Sequence, residues 1–416
     1  MRLLILTQYY PPEIGAPQNR LHELAVRMKA NGLDVEILTA LPNYPTMEIH
    51  QAYKNKKNRR EIIDGISVHR AGIYVSKSKS IVSRLLNYFS FVWTSYWRGR
   101  KLGNFDYLMV ESPPLFLGYS AMRLAKKLNA KLIFNVSDLW PESAEKLGVV
   151  TNKHLLKQAY ALEEKCYKKA VLVTGQTQGI VEDIKRRFPE TNTFWLPNGV
   201  DLDFYNPTNF EKTNFRTKNN LKETDIVFFY GGILGYAQGL SLLLQAAEKI
   251  TDERIKIIIQ GTGPEEQKLK EMKENLALQN VLLLPPVGKS EMPFVLKEVD
   301  VALVPLKKLE LFQGAIPSKI FEALAMKKAL LLGVEGEAKH HFIDKANAGL
   351  AYTPEDVQDL VNKMNLMASE PDKIALFGEN GRNYVAEYFN RNKIAQEFIT
   401  VLNDNHFTQT SQPLSV

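Results

Sequence analysis

The sequence of 416 residues lacks the features of secreted and membrane-spanning proteins. Its one cysteine, Cys166, excludes a disulfide framework and a cysteine-based zinc site, and it fits a reducing compartment. It has no run of about 18 uncharged apolar residues, so no membrane-spanning helix is predicted. The apolar residues 2–6 are too few for a signal peptide and predict a first buried strand. We therefore expect a cytoplasmic protein.

The net charge of +7 is distributed unevenly along the chain. Residues 1–200 have a net charge of +12, and residues 201–416 have a net charge of −5. A basic half followed by an acidic half predicts two domains with different functions. The basic half is expected to face an anionic partner, such as a membrane surface, a nucleic acid or a phosphorylated lipid.

Short apolar runs alternate with helical patterns through nearly the whole chain, which is typical of parallel sheets covered by helices. The polar segment 207–225 lacks apolar periodicity and is predicted to be a linker, because the alternation starts again after it. We predict an α/β protein with two tandem, doubly wound, Rossmann-like domains that face a central cleft. The predicted strands begin near residues 3, 35, 66, 107, 132, 171 and 194, and again near residues 226, 255, 281, 301, 329 and 350.

The predicted domains comprise residues 1–205 and 206–385. The remaining segment, 386–416, contains a predicted helix near 390–403 that either stays with the second domain or returns to the first. The residues from 404 onward are predicted to be frayed.

Two loops of the first domain contain candidate functional residues at the carboxyl ends of predicted strands, where doubly wound domains bind ligands. Gly15 precedes the first helix, where it either allows a ligand close to the backbone or serves only as a turn residue. The pattern is not G-x-G-x-x-G, so a nicotinamide or flavin fingerprint is missing. Asp138 follows the strand at 132–136. It is predicted to orient a hydroxyl group or to act as a base; the alternative is that it only caps a helix.

Two glycine-rich loops of the second domain predict a nucleotide or pyrophosphate site, although each is also compatible with a tight turn. Residues 231–239 contain four glycines, and residues 261–263 contain two more at a corresponding position. Downstream, Pro317 and Ser318 are typical of a helix start, with Ser318 as the candidate cap. Lys319 would then meet a phosphate, and Glu322, one turn later, would suit a ribose diol; the alternative is an ordinary surface ion pair.

Residues 77–101 contain six basic residues and no acidic residue, and residues 54–60 add five basic residues. Apolar residues follow helical spacing from Ile81 through Leu85, Phe89 and Val92 to Tyr96. A basic, aromatic-rich amphipathic helix predicts binding to an anionic membrane surface, while the alternative is a helix packed in the core. Nucleic-acid binding is not expected, because no recognition module is present. The predicted membrane-docking residues are Lys77, Lys79, Arg84, Phe89, Trp93, Trp97, Arg98 and Arg100.

These segments together resemble the retaining glycosyltransferases of family 4, which have the GT-B fold. Within that family the sequence is similar to the bacterial branch that adds N-acetylated amino sugars during surface-polysaccharide assembly. The matching segments run in the family's order over nearly the full length. They are residues 9–15 with Arg20, then 41–45, 64–70, 138–142, 196–200, 232–239, 261–263 and 317–322.

The resemblance implies a UDP-sugar donor held by the C-terminal domain, with UDP favoured over GDP, and an acceptor against the N-terminal domain. It also implies transfer with retention at the anomeric carbon and no metal or other cofactor. Glu322 matches the second glutamate of the family's Glu-x7-Glu motif, which holds the ribose hydroxyls, and the 284–287 loop would border the base. The implied donor-binding residues are Gly15, Gly232, Gln238, Gly263, Val287, Ser318, Lys319 and Glu322.

Two departures from the family pattern affect the assignment of catalytic groups. The first glutamate of the motif falls at Gly314, with Glu310 as the nearest acid. Tyr236 and Gln238 stand where much of the family has an arginine and a lysine. We therefore expect Lys319 to stabilise the departing diphosphate. The other expected catalytic residue is Asp138, and the expected acceptor-binding residues are Arg20, Asp138 and Trp140.

The expected acceptor is a saccharide linked to polyprenyl diphosphate or another oligosaccharide, in O-antigen or capsule biosynthesis. The protein is expected to bind peripherally to the inner face of the cell membrane. Two functions of other classes remain compatible with the sequence: a sugar-nucleotide epimerase of the same architecture, and a non-catalytic partner that binds a nucleotide sugar.

Overall fold

The computed structural model describes residues 1–13, 15–55, 59–78, 80–148 and 150–404 and divides into two compact units. The N-terminal unit comprises residues 1–198 and the chain from Arg391 onward, and the C-terminal unit comprises residues 199–390. The expectations for Lys79, for part of the basic segment 54–60 and for the tail after 404 concern residues outside this description.

Both boundaries differ from the predicted ones by a few residues. Residues 199–205 belong to the C-terminal unit because Arg382 donates hydrogen bonds to the carbonyl oxygens of Tyr205, at 2.6 Å, and Leu202, at 3.3 Å. At the other end, the helix that begins at Pro371 continues to Tyr388, so the second boundary lies beyond residue 385.

The N-terminal unit is built on an eight-stranded sheet with the order β3-β4-β2-β1-β5-β6-β7-β8. Successive residues of β1 are buried in two different apolar clusters, which shows that helices cover both faces of the sheet. All neighbouring strands are parallel except β3 and β4. The strands are β1 (Arg2–Leu6), β2 (Asp34–Ala40), β3 (Arg60–Ile63), β4 (Ile66–Ala71), β5 (Tyr107–Ser112), β6 (Lys131–Val136), β7 (Leu172–Gly175) and β8 (Thr193–Trp195).

Strand β3 is the one element of this sheet that the sequence analysis did not predict. It pairs antiparallel with β4 across a two-residue turn formed by Asp64 and Gly65. Both turn residues have positive φ angles, 46° and 78°, as such hairpins require. The Asp-Gly pair was therefore the available signal.

Seven helices of the described chain belong to the N-terminal unit. The last helix lies against the same face of the sheet as the first, because its apolar residues Ile394, Phe398 and Leu402 are buried in one cluster with Leu21. It therefore belongs to the N-terminal unit, one of the two predicted alternatives. No helix among the described residues is long and apolar enough to span a membrane. The helices are α1 (Ala16–Ala30), α2 (Ile81–Gly99), α3 (Gly118–Lys127), α4 (Glu142–Lys146), α5 (Lys153–Lys169), α6 (Gln178–Arg187) and α15 (Arg391–Asp404).

The C-terminal unit contains a six-stranded parallel sheet with the order β11-β10-β9-β12-β13-β14. The strands are β9 (Ile226–Ile233), β10 (Ile255–Thr262), β11 (Val281–Leu284), β12 (Val301–Pro305), β13 (Ala329–Gly333) and β14 (Gly349–Ala351). The helices are α7 (Phe215–Lys218), α8 (Ser241–Lys249), α9 (Glu266–Asn275), α10 (Met292–Glu298), α11 (Lys319–Ala325), α12 (Glu337–Lys339), α13 (Val357–Ser369) and α14 (Pro371–Tyr388). The predicted fold class, two Rossmann-like α/β domains, is confirmed.

The segment 207–225 is an integral part of the C-terminal unit and not a linker. Arg216 is 8% exposed, and its guanidinium group donates to the backbone carbonyls of Glu298, Lys222 and Asp225 at 2.9–3.1 Å. It also forms an ion pair of 2.9 Å with Asp300. One buried arginine thus fixes a segment that has no apolar periodicity, which explains why the pattern predicted a linker.

Replacement of Arg216 by methionine should destabilise the C-terminal unit by about 3–5 kcal/mol, because three backbone carbonyls lose their donor, at about 1–3 kcal/mol for each buried acceptor left unpaired. Thermal unfolding followed by circular dichroism measures the effect. Lys218→Met, in the same short helix but exposed, is the matched control and should change stability by less than about 0.5 kcal/mol. Equal melting temperatures for the two variants would contradict the role of Arg216.

Candidate functional site

Lys319, the first residue of α11, is confined between an aromatic ring and a glycine backbone. Its Nζ atom lies 3.6 Å from the centroid of the Tyr230 ring. A Cβ atom placed on Gly232 would lie 3.2 Å from the same Nζ atom. Tyr230 is buried, and its hydroxyl group donates a hydrogen bond of 2.6 Å to the carbonyl oxygen of Ile233. The structure therefore brings together two predicted donor-binding residues, Lys319 and Gly232, at the carboxyl end of β9.

Burial of the ammonium group lowers the pKa of Lys319 from its usual value of 10.5 to about 7. The carboxylate of Glu322, one turn further along α11, raises this pKa by a smaller amount. Lys319 therefore gains or loses its proton near neutral pH. An anion bound beside it would favour the charged form.

The two glycine-rich loops pack backbone against backbone. A Cβ atom on Gly261 would lie 1.8 Å from the carbonyl oxygen of Gly232, and one on Gly263 would lie 2.5 Å from the carbonyl oxygen of Leu234. The amide of Leu234 donates a hydrogen bond of 2.9 Å to the backbone carbonyl of Thr262, and this bond joins the two loops. The glycines are thus required by this close approach, and the structure places Gly232 and Gly263 in the same part of the C-terminal unit.

The other predicted donor-binding residues lie at the starts and ends of neighbouring elements. Ser318 is exposed at the N-terminus of α11 and makes no capping hydrogen bond, because its backbone is already helical. Gln238 ends a short turn before Gly239, which has a φ angle of 60°. Val287 is half-buried in the loop that follows β11.

A cavity of about 370 Å³ lies where β12 and β13 end. Its lining includes Lys307, Glu310 and Gln313 from the segment after β12, and Glu335 from the segment after β13. Its volume is within the range of small-molecule sites, about 300–1,000 Å³. Glu310, the acid nearest to the missing motif glutamate, therefore lines a cavity of suitable size. Among the described residues, no group of three or more His, Cys, Asp or Glu side chains could hold a metal ion.

In the N-terminal unit, Arg20 is buried against an acid that the sequence analysis did not single out. Its Nη2 atom donates to Glu111 at 2.7 Å and to the hydroxyl of Ser137 at 2.9 Å. The side chains of Arg20 and Glu111 are only 6% and 5% exposed. The charge of Arg20 is thus already balanced by a carboxylate. The available signal for Glu111 was an acidic residue directly after the apolar run 107–110, at the carboxyl end of β5.

Asp138 and Trp140 follow β6, as predicted, and both are half-buried. One carboxylate oxygen of Asp138 accepts a hydrogen bond of 2.8 Å from Ser143, and its backbone carbonyl accepts one of 2.9 Å from the amide of Trp140. The Trp140 ring contacts that of Phe116 edge-to-face, with 5.3 Å between centroids. Asp138 therefore stabilises the start of the α4 region, one of the two interpretations of its position.

The loops after β1 and β2 are tied together by one buried carboxylate. Glu13 accepts hydrogen bonds from the amides of Asn43, at 2.8 Å, and Tyr44, at 2.9 Å. Burial raises the pKa of Glu13, while these backbone hydrogen bonds oppose the rise. Gly15 directly precedes α1, and a Cβ atom there would lie 2.4 Å from Oε1 of Gln18. Gly15 is therefore covered by a side chain of its own helix.

Helix α2 buries a mixed set of polar and apolar side chains and exposes several large apolar side chains on the other side. Ser83, Asn87, Phe91 and Ser95 are buried. The opposite side, which we call the outer face of α2, carries exposed apolar residues at successive turns. The alternative that Phe89 and Trp93 are core residues is wrong, because both side chains are exposed. The outer face consists of Val82, Leu86, Phe89, Trp93 and Trp97, with exposures of 67%, 50%, 44%, 65% and 40%.

Two of the basic residues near α2 make contacts with other side chains. Lys77 forms an ion pair of 2.8 Å with Glu48, an acid from a distant part of the chain. The guanidinium carbon of Arg100 lies 3.7 Å from the centroid of the Trp97 ring. Arg84 is exposed and Arg98 is half-buried. The ion pair of Lys77 therefore offsets one of the positive charges that the composition indicated.

Comparison with known proteins gives matches over nearly the whole chain. The family model "Glycosyl transferase 4-like domain" matches residues 15–199, and "Glycosyl transferases group 1" matches residues 211–384. A protein of Escherichia coli K12 named as the colanic acid biosynthesis glycosyl transferase WcaI is 23% identical over 410 residues, which cover 96% of this chain and 99% of that protein.

Two solved structures share the fold. Sucrose-phosphate synthase from Thermosynechococcus elongatus has a TM-score of 0.74 at 16% identity, covering 97% of this chain and 99% of its own. The Anabaena protein HepE, in complex with UDP and glucose, has a TM-score of 0.70 at 16% identity, covering 97% and 100%.

Replacement of Lys319 by methionine should stabilise the protein, and more so at pH 6.5 than at pH 9.5. Folding lowers the pKa of Lys319, so between about pH 7 and pH 10.5 the unfolded chain holds the proton and the folded chain does not. Below this range both states are charged, and burial of the charge destabilises the fold by its full amount. As the pH rises through the range, this destabilisation decreases to zero. We expect the melting temperature of the variant to exceed that of the wild type by roughly 3–6 °C at pH 6.5. Lys249→Met, at an exposed position of α8, is the control. A rise that does not depend on pH would contradict the burial of the charge.

Proposed function

The chain belongs to the glycosyltransferases, with a 4-like N-terminal domain and a group 1 C-terminal domain, and on this premise we propose that it transfers a sugar from a UDP-sugar with retention at the anomeric carbon. The transferred sugar is an N-acetylated amino sugar, and the acceptor is a lipid-linked saccharide or oligosaccharide. The product is a bacterial surface polysaccharide such as an O-antigen or a capsule.

The observation that carries this proposal is the position of Lys319 beside Gly232 at the carboxyl end of β9. Doubly wound domains bind nucleotides at this edge of the sheet. A diphosphate placed there meets a lysine whose other surroundings are an aromatic ring and glycine backbone. Glu322, one turn further along α11, is then at a suitable spacing for the ribose hydroxyls. The cavity after β12, lined by Glu310, has the size for the sugar.

In the proposed reaction, the bond between the anomeric carbon and the diphosphate breaks before the acceptor attacks from the same face. Negative charge grows on the leaving diphosphate, and the Lys319 ammonium group stabilises it more strongly in the transition state than in the bound donor. The pKa of about 7 in the free protein rises when the diphosphate binds, so that the cation forms where it is needed. The leaving phosphate takes the proton of the acceptor hydroxyl, which Asp138 orients. No metal takes part.

The relatives support the two finer parts of the proposal. HepE was crystallised with UDP and glucose, which favours UDP as the carrier. The name of WcaI refers to colanic acid biosynthesis, and a second relative, 19% identical over 410 residues, is named O-antigen chain mannosyltransferase C. Both names favour a surface polysaccharide as the product.

The outer face of α2 supports a membrane-associated acceptor. Contiguous exposed apolar surface marks an interaction site, and aromatic residues flanked by arginines suit the interface of an anionic bilayer. We therefore place the enzyme peripherally on the cytoplasmic side of the membrane, where a polyprenyl-diphosphate-linked acceptor would lie. An epimerase of the same fold would not require a membrane-binding surface, because its substrate is a soluble nucleotide sugar.

Incubation with UDP-, GDP-, ADP- and dTDP-sugars, followed by anion-exchange chromatography, tests the reaction class. A transferase releases UDP from its donor, an epimerase yields an isomeric nucleotide sugar, and a binding partner yields neither. Lys319→Met should lower UDP release on the order of 100-fold. Undiminished release by this variant would show that another group stabilises the leaving phosphate.

Glu322→Ala should weaken UDP binding by about 1.5–3 kcal/mol without unfolding the protein, because a carboxylate that accepts from two hydroxyls is lost. Isothermal titration of UDP into both proteins measures the difference. Glu253→Ala, an exposed acid of the same unit, is the control and should bind like wild type. Equal affinities of the Glu322 variant and wild type would rule out the ribose contact.

Replacing Phe89, Trp93 and Trp97 together by glutamine should reduce sedimentation with anionic liposomes at least about tenfold, because the apolar part of membrane binding is removed. The melting temperature should change little, since these side chains are exposed. The matched control replaces two exposed leucines of the C-terminal unit, Leu366 and Leu376, by glutamine and should sediment like wild type. Unchanged sedimentation of the triple variant would refute membrane docking by α2.

A further inference from the structure

We propose that Tyr230 is a positioning residue of this enzyme: its ring holds the ammonium group of Lys319 in place for the donor diphosphate, and its hydroxyl fixes the strand end that borders this group. The inference rests on the proposed function, in which Lys319 meets the diphosphate. The sequence gives no sign of the role, since Tyr230 ends the apolar run 226–230 as an ordinary core residue would.

The first argument is the geometry of the contact. The Nζ atom of Lys319 stands 3.6 Å from the ring centroid of Tyr230, well inside the distance of about 6 Å at which a ring face attracts a cation. Tyr230 itself is fully buried, so water does not compete for the ring. The ring attracts the cation without accepting a conventional hydrogen bond from it.

The second argument is what surrounds the ammonium group on its other sides. Glu322 is the charged neighbour that acts on Lys319, and it lies on the same helix. Helix α10 and strand β12 also border the small cavity beside these two residues, and they contribute only apolar side chains there: Met292, Leu296, Ala302 and Leu303. Across the described residues, Lys319 makes no hydrogen bond. Its N–H groups therefore remain available for phosphate oxygens.

The third argument concerns the Tyr230 hydroxyl. It donates to the carbonyl of Ile233 at 2.6 Å, and Gly232 lies between the two residues, where an added Cβ atom would lie only 3.2 Å from the Nζ atom of Lys319. The hydroxyl thus fixes the end of β9 close to the Nζ atom, where there is room for a glycine but not for a larger residue. The ring positions the cation, and the hydroxyl positions the backbone beside it.

The direct test follows the ionisation of Lys319 without any turnover assay. The rate at which acetic anhydride acylates Lys319, read by mass spectrometry across pH 5–10, reports when the amine loses its proton. Tyr230→Leu should move the midpoint to lower pH by about half a unit to one unit, because an aliphatic side chain keeps the site buried but does not attract the cation. Tyr230→Phe should keep the wild-type midpoint. Tyr230→Met serves in place of the leucine variant if that one does not fold.

The second test is a double-mutant cycle on UDP release from the sugar nucleotide that the wild type turns over. Tyr230→Leu should lower kcat roughly tenfold in the otherwise wild-type protein. In the Lys319→Met background it should cause no further loss of kcat. A purely structural role of Tyr230 would instead lower kcat by the same factor in both backgrounds, which would overturn the proposal.

Failure of this inference and failure of the proposed function give different results. If no nucleotide sugar is turned over, the reaction is wrongly assigned, but the acylation midpoints still decide the role of Tyr230. If Lys319→Met abolishes turnover while Tyr230→Leu leaves both kcat and the midpoint unchanged, the reaction stands and the inference falls. A midpoint that moves equally in the leucine and phenylalanine variants would also overturn it, because the ring would then not be the cause.

Discussion

Removing an ammonium group from water is the unfavourable step around which the C-terminal site is arranged. The loss amounts to several kcal/mol for a buried ion, whereas a cation over an aromatic ring regains about 0.5–2 kcal/mol. The ring of Tyr230 and the carboxylate of Glu322 therefore compensate only part of the loss, and the remainder lowers the pKa of Lys319 to about 7. An anionic ligand would supply the missing compensation. Occupancy of this site and the charge of Lys319 are coupled for that reason.

This arrangement also needs backbone segments that approach more closely than side chains would allow. Gly261 contacts the carbonyl oxygen of Gly232, and Gly263 contacts that of Leu234. With these contacts the end of β10 supports the end of β9, which in turn borders the ammonium group of Lys319. Glycine-rich loops are usually explained by the approach of a phosphate. Here the protein's own packing already requires them, and the surface they present to a ligand follows from it.

Each strand in a continuous apolar run was predictable from the sequence, because burial on both faces of a parallel sheet leaves that pattern. Features fixed by single polar contacts were not: Arg216 anchors a segment without periodicity, and β3 depends on the Asp64–Gly65 turn. The periodicity of α2 predicted a helix with a membrane-docking stripe, but it did not show that Val92 and Tyr96 of this stripe are partly buried against the core. The resemblance located Lys319, yet its contact with the Tyr230 ring joins distant parts of the chain, and no local pattern encodes it.

The two units differ in how they compensate the charge of a buried cation. This difference assigns different roles to Arg20 and Lys319. Arg20 is paired at 2.7 Å with Glu111, which is equally buried, so an anionic ligand would have to compete with a carboxylate already in place. Breaking such a pair costs about 3–5 kcal/mol. Among the described residues no carboxylate forms a comparable ion pair with Lys319, so an added anion would stabilise its charged form. The Nη1 atom of Arg20 is buried as well, so the guanidinium group as a whole is enclosed by the protein, and the proposed recognition of phosphate charge rests on Lys319 instead.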